Sequence, residues 1–143
     1  AAGNDGADST KAFPANCLGV VTVGAVKRDQ RIATYSNYGP NVGILAPGGD
    51  DWGLNTIATL SNTGSDNVGD PAYDFESGVG TSFAAPYVAA AAAYIRGISP
   101  TITQPQIAYL FASTGLITGD ERCAPDFENQ TNECAPLVLD LAR

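Results

Sequence analysis

A serine set between Gly80-Thr81 and Phe83-Ala84-Ala85-Pro86, at the head of a small and apolar run that reaches Ile95, constrains this chain more than any other stretch. Glycine lets a backbone turn sharply without a Cβ clash. Proline fits the first turn of a helix without loss, because its missing N–H has no partner there to leave. The stretch therefore predicts a tight turn feeding a helix over Phe83 to Arg96. Small or apolar residues on every face of that helix predict a buried central element, not an amphipathic surface one. Ser82 stands at its N-terminus, where free amides and the positive end of the macrodipole can stabilise charge developing on a substrate carbonyl. Two roles are open to it from these residues alone, a helix cap and an exposed nucleophile.

The rest of the chain reads as short strands and loops around that helix. Ala1-Ala2-Gly3 reads as the end of a buried strand, and Asn4 to Ala12 as a loop of small polar residues. Leu18 to Val26, apolar and rich in β-branched residues, predicts a strand covered on both faces. Ile32 to Tyr35 and Val42 to Leu45 predict two more strands, the second stopped by Ala46-Pro47-Gly48-Gly49. Asp50 to Ser77 reads as an acidic loop around one strand, Asn55 to Leu60. Thr103-x-x-Gln106 is a capping box with Pro105 in the first turn, which predicts a helix from about Gln104 to Ser113, ended by Gly115.

The Gly80 to Pro86 stretch resembles the nucleophile signature of the subtilisin-like serine proteases (subtilases). Ala1-Ala2-Gly3-Asn4-Asp5-Gly6 resembles the segment that carries the family's oxyanion asparagine. Phe13-Pro14-Ala15, Val20-Val21-Thr22-Val23-Gly24-Ala25, Tyr35-Ser36-Asn37-Tyr38-Gly39 and Val42-Gly43-Ile44-Leu45-Ala46-Pro47-Gly48 follow in the family's order. This likeness runs from Ala1 to about Gly115. It implies an α/β architecture, the C-terminal portion of a three-layer fold with a mainly parallel sheet between helices. Residues 1–143 would then be one part of a single catalytic domain. The resemblance further implies a serine endopeptidase acting on proteins or peptides, with Ser82 as nucleophile and the side-chain amide of Asn4 as oxyanion donor. Ala2, Gly3, Ala12 and Phe13 align with segments that line the family's specificity pocket.

The chain contains no histidine. Subtilases run their triad in the order Asp, His, Ser, and the first two precede the oxyanion asparagine. A serine hydroxyl without a base is a poor nucleophile at neutral pH. The resemblance thus implies that base and Asp belong to an N-terminal part of the same protease, its partner here, and that this chain alone is inert. The lack of methionine and a start inside a motif agree with the C-terminal portion of a longer protein. Two rivals share these residues: a relative that has lost catalysis and only binds peptides, and a purely structural fragment. An upstream D-x-G strand and an H-G-T-H helix would exclude both.

A net charge of −8 disfavours nucleic acid and anionic membranes as partners, and no apolar run approaches the length of a membrane span. Both observations favour a secreted protein, extracellular or periplasmic. Of three cysteines, Cys123 and Cys134 flank a polar loop that a disulfide between them would close. Cys17 is then left either as a buried free thiol or, as in bacterial secreted subtilases with a Pro-Ala-Asn-Cys segment, bonded to a cysteine earlier in the domain. No cofactor is required for the implied chemistry. Structural calcium is common in the family, but Asp50, Asp51, Asp66, Asp70, Asp74 and Glu76 match no defined calcium loop and read as a solvated acidic loop.

Overall fold

The computed structural model describes residues 1–50, 55–62, 73–118, 120 and 137–139. After a short 3-10 turn, Ser9–Lys11, come β1 (Thr22–Val26), β2 (Val42–Pro47), β3 (Ile57–Asn62) and β4 (Tyr73–Gly78). They are followed by α1 (Thr81–Ile98), α2 (Gln104–Thr114), β5 (Leu116–Ile117) and β6 (Leu137–Val138). A four-stranded sheet has the order β1-β2-β6-β5, and β3 and β4 pair separately. β1, β2 and β6 run parallel, whereas β5 is antiparallel to β6.

Parallel strands are normally covered on both faces, and the core divides accordingly. Val23 and Ala25 of β1 and Ile44 and Ala46 of β2 face Ala84, Val88 and Ala91 of α1 and Ile107 and Phe111 of α2. On the opposite face Val26 and Leu45 pack with Ala2, Ile32, Val42 and Val138. Ile44 and Leu45 are almost completely buried, and burial of each stabilises the sheet by about 1.5–3 kcal/mol. Alanines at the α1 contact let the helix lie close to the strands. On the opposite face Gly24 leaves room for Leu45, whose Cδ2 a Cβ there would meet at 2.7 Å.

Several local expectations are corrected. β1 begins at Thr22, not Leu18, because the residues before it lie on the surface: Leu18 is fully exposed and Val20 half so. Ile32 to Tyr35 is not a strand. It makes a single bridge, Val26 to Ile32, and then turns, with Ser36 N–H donating to Ala33 O. The strand placed at Asn55 to Leu60 runs from Ile57 to Asn62. Within the supposed acidic loop, β4 pairs antiparallel with it, Leu60 opposite Phe75 and Thr59 opposite Glu76.

α1 starts at Thr81, so Pro86 is its sixth residue and has no N–H to offer the carbonyl of Ser82. Nor is the helix covered on every face. Only Thr81, Ala84, Val88 and Ala91 are buried, a stripe at helical spacing, while Tyr94 and Ile98 are exposed by 73% and 71%. One sheet layer covers one face. α2 keeps its predicted start, with Gln106 Oε1 accepting from the N–H and Oγ1 of Thr103, and ends at Gly115. Cys123, Cys134, Asp51, Asp66 and Asp70 lie outside the described residues.

Candidate active site

The turn into α1 has the form that its glycine predicts. Gly80 adopts φ 151°, ψ 159°, a conformation that side chains with a Cβ rarely take. It is tied to the end of β2 by its N–H, which donates to Gly48 O at 2.9 Å. Phe83 packs its ring over Gly78, where a Cβ would overlap it. These restraints present Ser82 as an exposed residue in the first turn of α1. Ser82 is not the cap. The N-cap is Gly80, without a side-chain cap bond, and among the described residues neither the N–H nor the Oγ of Ser82 is hydrogen-bonded.

The missing cap comes from Asn4. Its Oδ1 accepts from the backbone N–H of Thr81 at 2.8 Å and from Thr81 Oγ1 at 2.8 Å. An amide N–H can only donate, so the carbonyl oxygen of the Asn4 side chain must face Thr81, and Nδ2 must face away. It borders the same space as the Ser82 hydroxyl. A Cβ built on Gly80 would lie 3.2 Å from Asn4 Nδ2 and 3.2 Å from Ser82 Oγ, so both atoms border one small space that only glycine leaves open. The Ser82 hydroxyl and an N–H donor thus border that space, and of the first-turn amides that of Ser82 alone is left without a partner among the described residues, a set of groups suited to stabilising an oxyanion. None of the chain's residues is histidine.

Thr81, almost completely buried, holds the arrangement from below, its Oγ1 also accepting from Gly3 N–H at 3.3 Å. Two further residues with no role assigned from sequence brace the site. Asn37 Oδ1 accepts from Asp5 N–H and Ala7 N–H at 2.9 and 3.0 Å, and its Nδ2 donates to Ala2 O at 3.1 Å. Tyr35 donates its hydroxyl to Gly48 O at 2.6 Å and Gly49 O at 2.9 Å, beside the turn that leads to Ser82. Burial of that hydroxyl pushes its pKa up from the ordinary 10 to about 12. Both residues sit in Tyr35-Ser36-Asn37-Tyr38-Gly39, so the segment was visible, but which backbone groups they hold depends on contacts far away in sequence.

The four residues aligned with a specificity pocket differ in exposure. Ala2 is completely buried, with its N–H donating to Val23 O, so its side chain belongs to the core. Gly3 lies beside Asn4 at φ 109°, whereas Ala12 is half-buried and Phe13 is 83% exposed on a loop further along the chain. Cys17 is an exposed free thiol, which removes the buried-thiol alternative. Among the described residues no helix is long and apolar enough to cross a membrane.

Comparison with known proteins places the chain among proteases. The chain is similar to an extracellular protease of Xanthomonas campestris, 35% identical over 73% of this chain and 17% of the relative. It is likewise similar to subtilisin DY of Bacillus licheniformis, 31% identical over 82% of this chain and 38% of that protein. A solved protease from Pseudoalteromonas arctica superposes with a TM-score of 0.79 at 33% identity, covering 97% of this chain and 39% of its own. The chain therefore spans less than half the length of each of these relatives. The family model described as the subtilase family matches residues 1–132, from the asparagine loop through the nucleophile turn and beyond α2. By this match and by the parallel α/β layers that carry both segments, the chain belongs to the subtilase family.

Proposed function

We propose that this chain is the C-terminal part of the catalytic domain of a secreted serine endopeptidase, extracellular or periplasmic, and that it carries the nucleophile and oxyanion half of the site. Ser82 Oγ attacks the scissile carbonyl of a protein or peptide while a histidine on the upstream part takes its proton. The carbonyl oxygen becomes an oxyanion held by Asn4 Nδ2 and the N–H of Ser82. Collapse of this intermediate expels the leaving amine, which takes the proton from the histidine, and leaves an acyl ester on Ser82. Water, deprotonated by the same histidine, then hydrolyses that ester. No step needs a metal or organic cofactor.

The observation that carries this reading is the convergence of Asn4 Nδ2 and Ser82 Oγ on the position of a Gly80 Cβ. The partner part is supported by the uncovered side of α1. There Tyr87, Tyr94, Ile98 and Ile102 line an apolar groove of about 630 Å³ that continues to Leu110 and Leu139. Apolar faces of that extent on a central helix call for a covering layer. The test uses the full-length protease. Asn4→Leu should lower kcat and leave KM nearly unchanged, because the amide contact strengthens only as charge develops, and Ser82→Ala should abolish turnover. Unaltered kcat in Asn4→Leu would make Asn4 a loop-stabilising residue only.

A further inference from the structure

Asn4 can serve as an oxyanion donor only if the loop that bears it is held still, and the structure shows what holds it. On one side, Thr81 fixes the amide itself. On the other, a single side chain reaches the backbone on both flanks of Asn4: Asn37 accepts from Asp5 and Ala7 N–H and donates to Ala2 O. Its own N–H donates to Gly3 O at 2.9 Å. Asn37 as a whole is 2% exposed, so these bonds face little competition from water. Gly3 makes room for it, because a Cβ at that position would overlap Asn37 Nδ2. Asn37 in turn is anchored to the sheet through its neighbour. Ser36 Oγ accepts from Ala25 N–H of β1 at 2.9 Å and donates to Asn37 O at 3.0 Å.

On the Gly3 side Thr81 Oγ1 shares the task, accepting from Gly3 N–H, and Ala2 N–H donates to Val23 O, but among the described residues only Asn37 holds both flanks and only Asn37 accepts from Asp5 N–H. Gly6 N–H donates to Tyr35 O, and Tyr38 N–H to Ala7 O, but neither touches Gly3 or Asp5. From this asymmetry we infer that Asn37 is a positioning residue for the oxyanion donor: it transmits the register of β1 to Asn4 and thereby sets where the Asn4 amide points. The inference rests on the catalytic reading of Asn4 and Ser82. A merely structural buried asparagine would change stability and leave the chemistry of folded molecules alone. A positioning residue lowers kcat of folded enzyme, with KM little changed, and does so only through Asn4.

A double-mutant cycle in the full-length protease separates the two. Asn37→Ala should lower kcat by on the order of 10- to 100-fold, the size of a small misplacement of a reacting group. In an Asn4→Leu background the same substitution should change kcat by less than about twofold, because the donor it positions is already gone. If Asn37→Ala does not yield folded protein, the cycle is run with Asn37→Ser, which keeps one hydroxyl in the space and predicts the same non-additivity with a smaller first step. Equal kcat losses in both backgrounds, or an unchanged kcat in the single variant, would overturn the assignment. Were Asn4→Leu alone to leave kcat unaltered, the catalytic reading itself would fail, a result distinct from either.

Discussion

Gly80→Ala tests the geometry of the site at its narrowest point. The φ of 151° at Gly80 lies in a region essentially reserved for glycine, so an alanine held there costs about 1–3 kcal/mol of backbone strain. Its methyl would also sit 3.2 Å from Asn4 Nδ2 and from Ser82 Oγ, a tight but not impossible approach. Steric displacement therefore amounts to a few tenths of an ångström, and strain is the larger effect on stability. Activity should suffer more. The methyl occupies the space towards which the Asn4 amide points, so the loss should match removal of one oxyanion donor, about 10²–10³ in kcat, a magnitude that comes from subtilisin, itself in this family, and not from this structure. Calorimetry and peptide hydrolysis on the full-length protease read the two effects separately. A variant with kcat within about twofold of wild type would refute the claim that both atoms border that space.

Tyr35→Phe removes a donor to two carbonyls and should destabilise the folded protein by about 0.5–1.5 kcal/mol at neutral pH, measured by urea unfolding. The hydroxyl's pKa is raised in the folded state, so the unfolded chain loses this proton first as pH rises. The tyrosine's contribution is complete below about pH 10 and is lost as pH passes about 12, and the gap between wild type and Tyr35→Phe should close over that window. In the α2 capping box, Thr103→Ala should cost about 0.5–2 kcal/mol by the same assay without changing kcat. Mass spectrometry of the non-reduced full-length protein should show Cys17 bonded to a cysteine of the upstream part and Cys123 bonded to Cys134; a free Cys17 or a Cys17–Cys123 link would sink that pairing.

Local chemistry was readable where it rests on near neighbours. The capping box at Thr103 and Gln106 and the break at Gly115 locate α2 without tertiary information, and the glycine turn before Ser82 follows from Gly80 alone. Composition makes β1 too long, because Leu18 to Val21 has strand composition, yet nothing in a run of apolar residues says that Leu18 stays in solvent. β4 was missed for the opposite reason. Its Tyr73-Asp74-Phe75-Glu76 alternation is a period of two, obscured because the polar positions are themselves the acidic residues that make the segment read as a loop. A start at Phe83 puts Pro86 in the first turn, whereas the Asn4 cap, supplied from 77 residues away, lets the helix begin at Thr81. The same distance hid Asn37: a buried asparagine is not identifiable as a brace until its partners at Ala2, Asp5 and Ala7 are beside it.

The central claim is that these residues form half of a catalytic site that the upstream part completes. A fluorophosphonate probe tests it, applied in parallel to the isolated chain, to the full-length protease and to the chain mixed with the separately expressed upstream part, with the labelled residue mapped by peptide mass spectrometry. Rapid labelling at Ser82 is expected in the full-length protein, with recovery of that labelling on mixing and none above background in the isolated chain, which has no histidine. Labelling of the isolated chain at the full-length rate, or of the full-length protein at a residue other than Ser82, would contradict it.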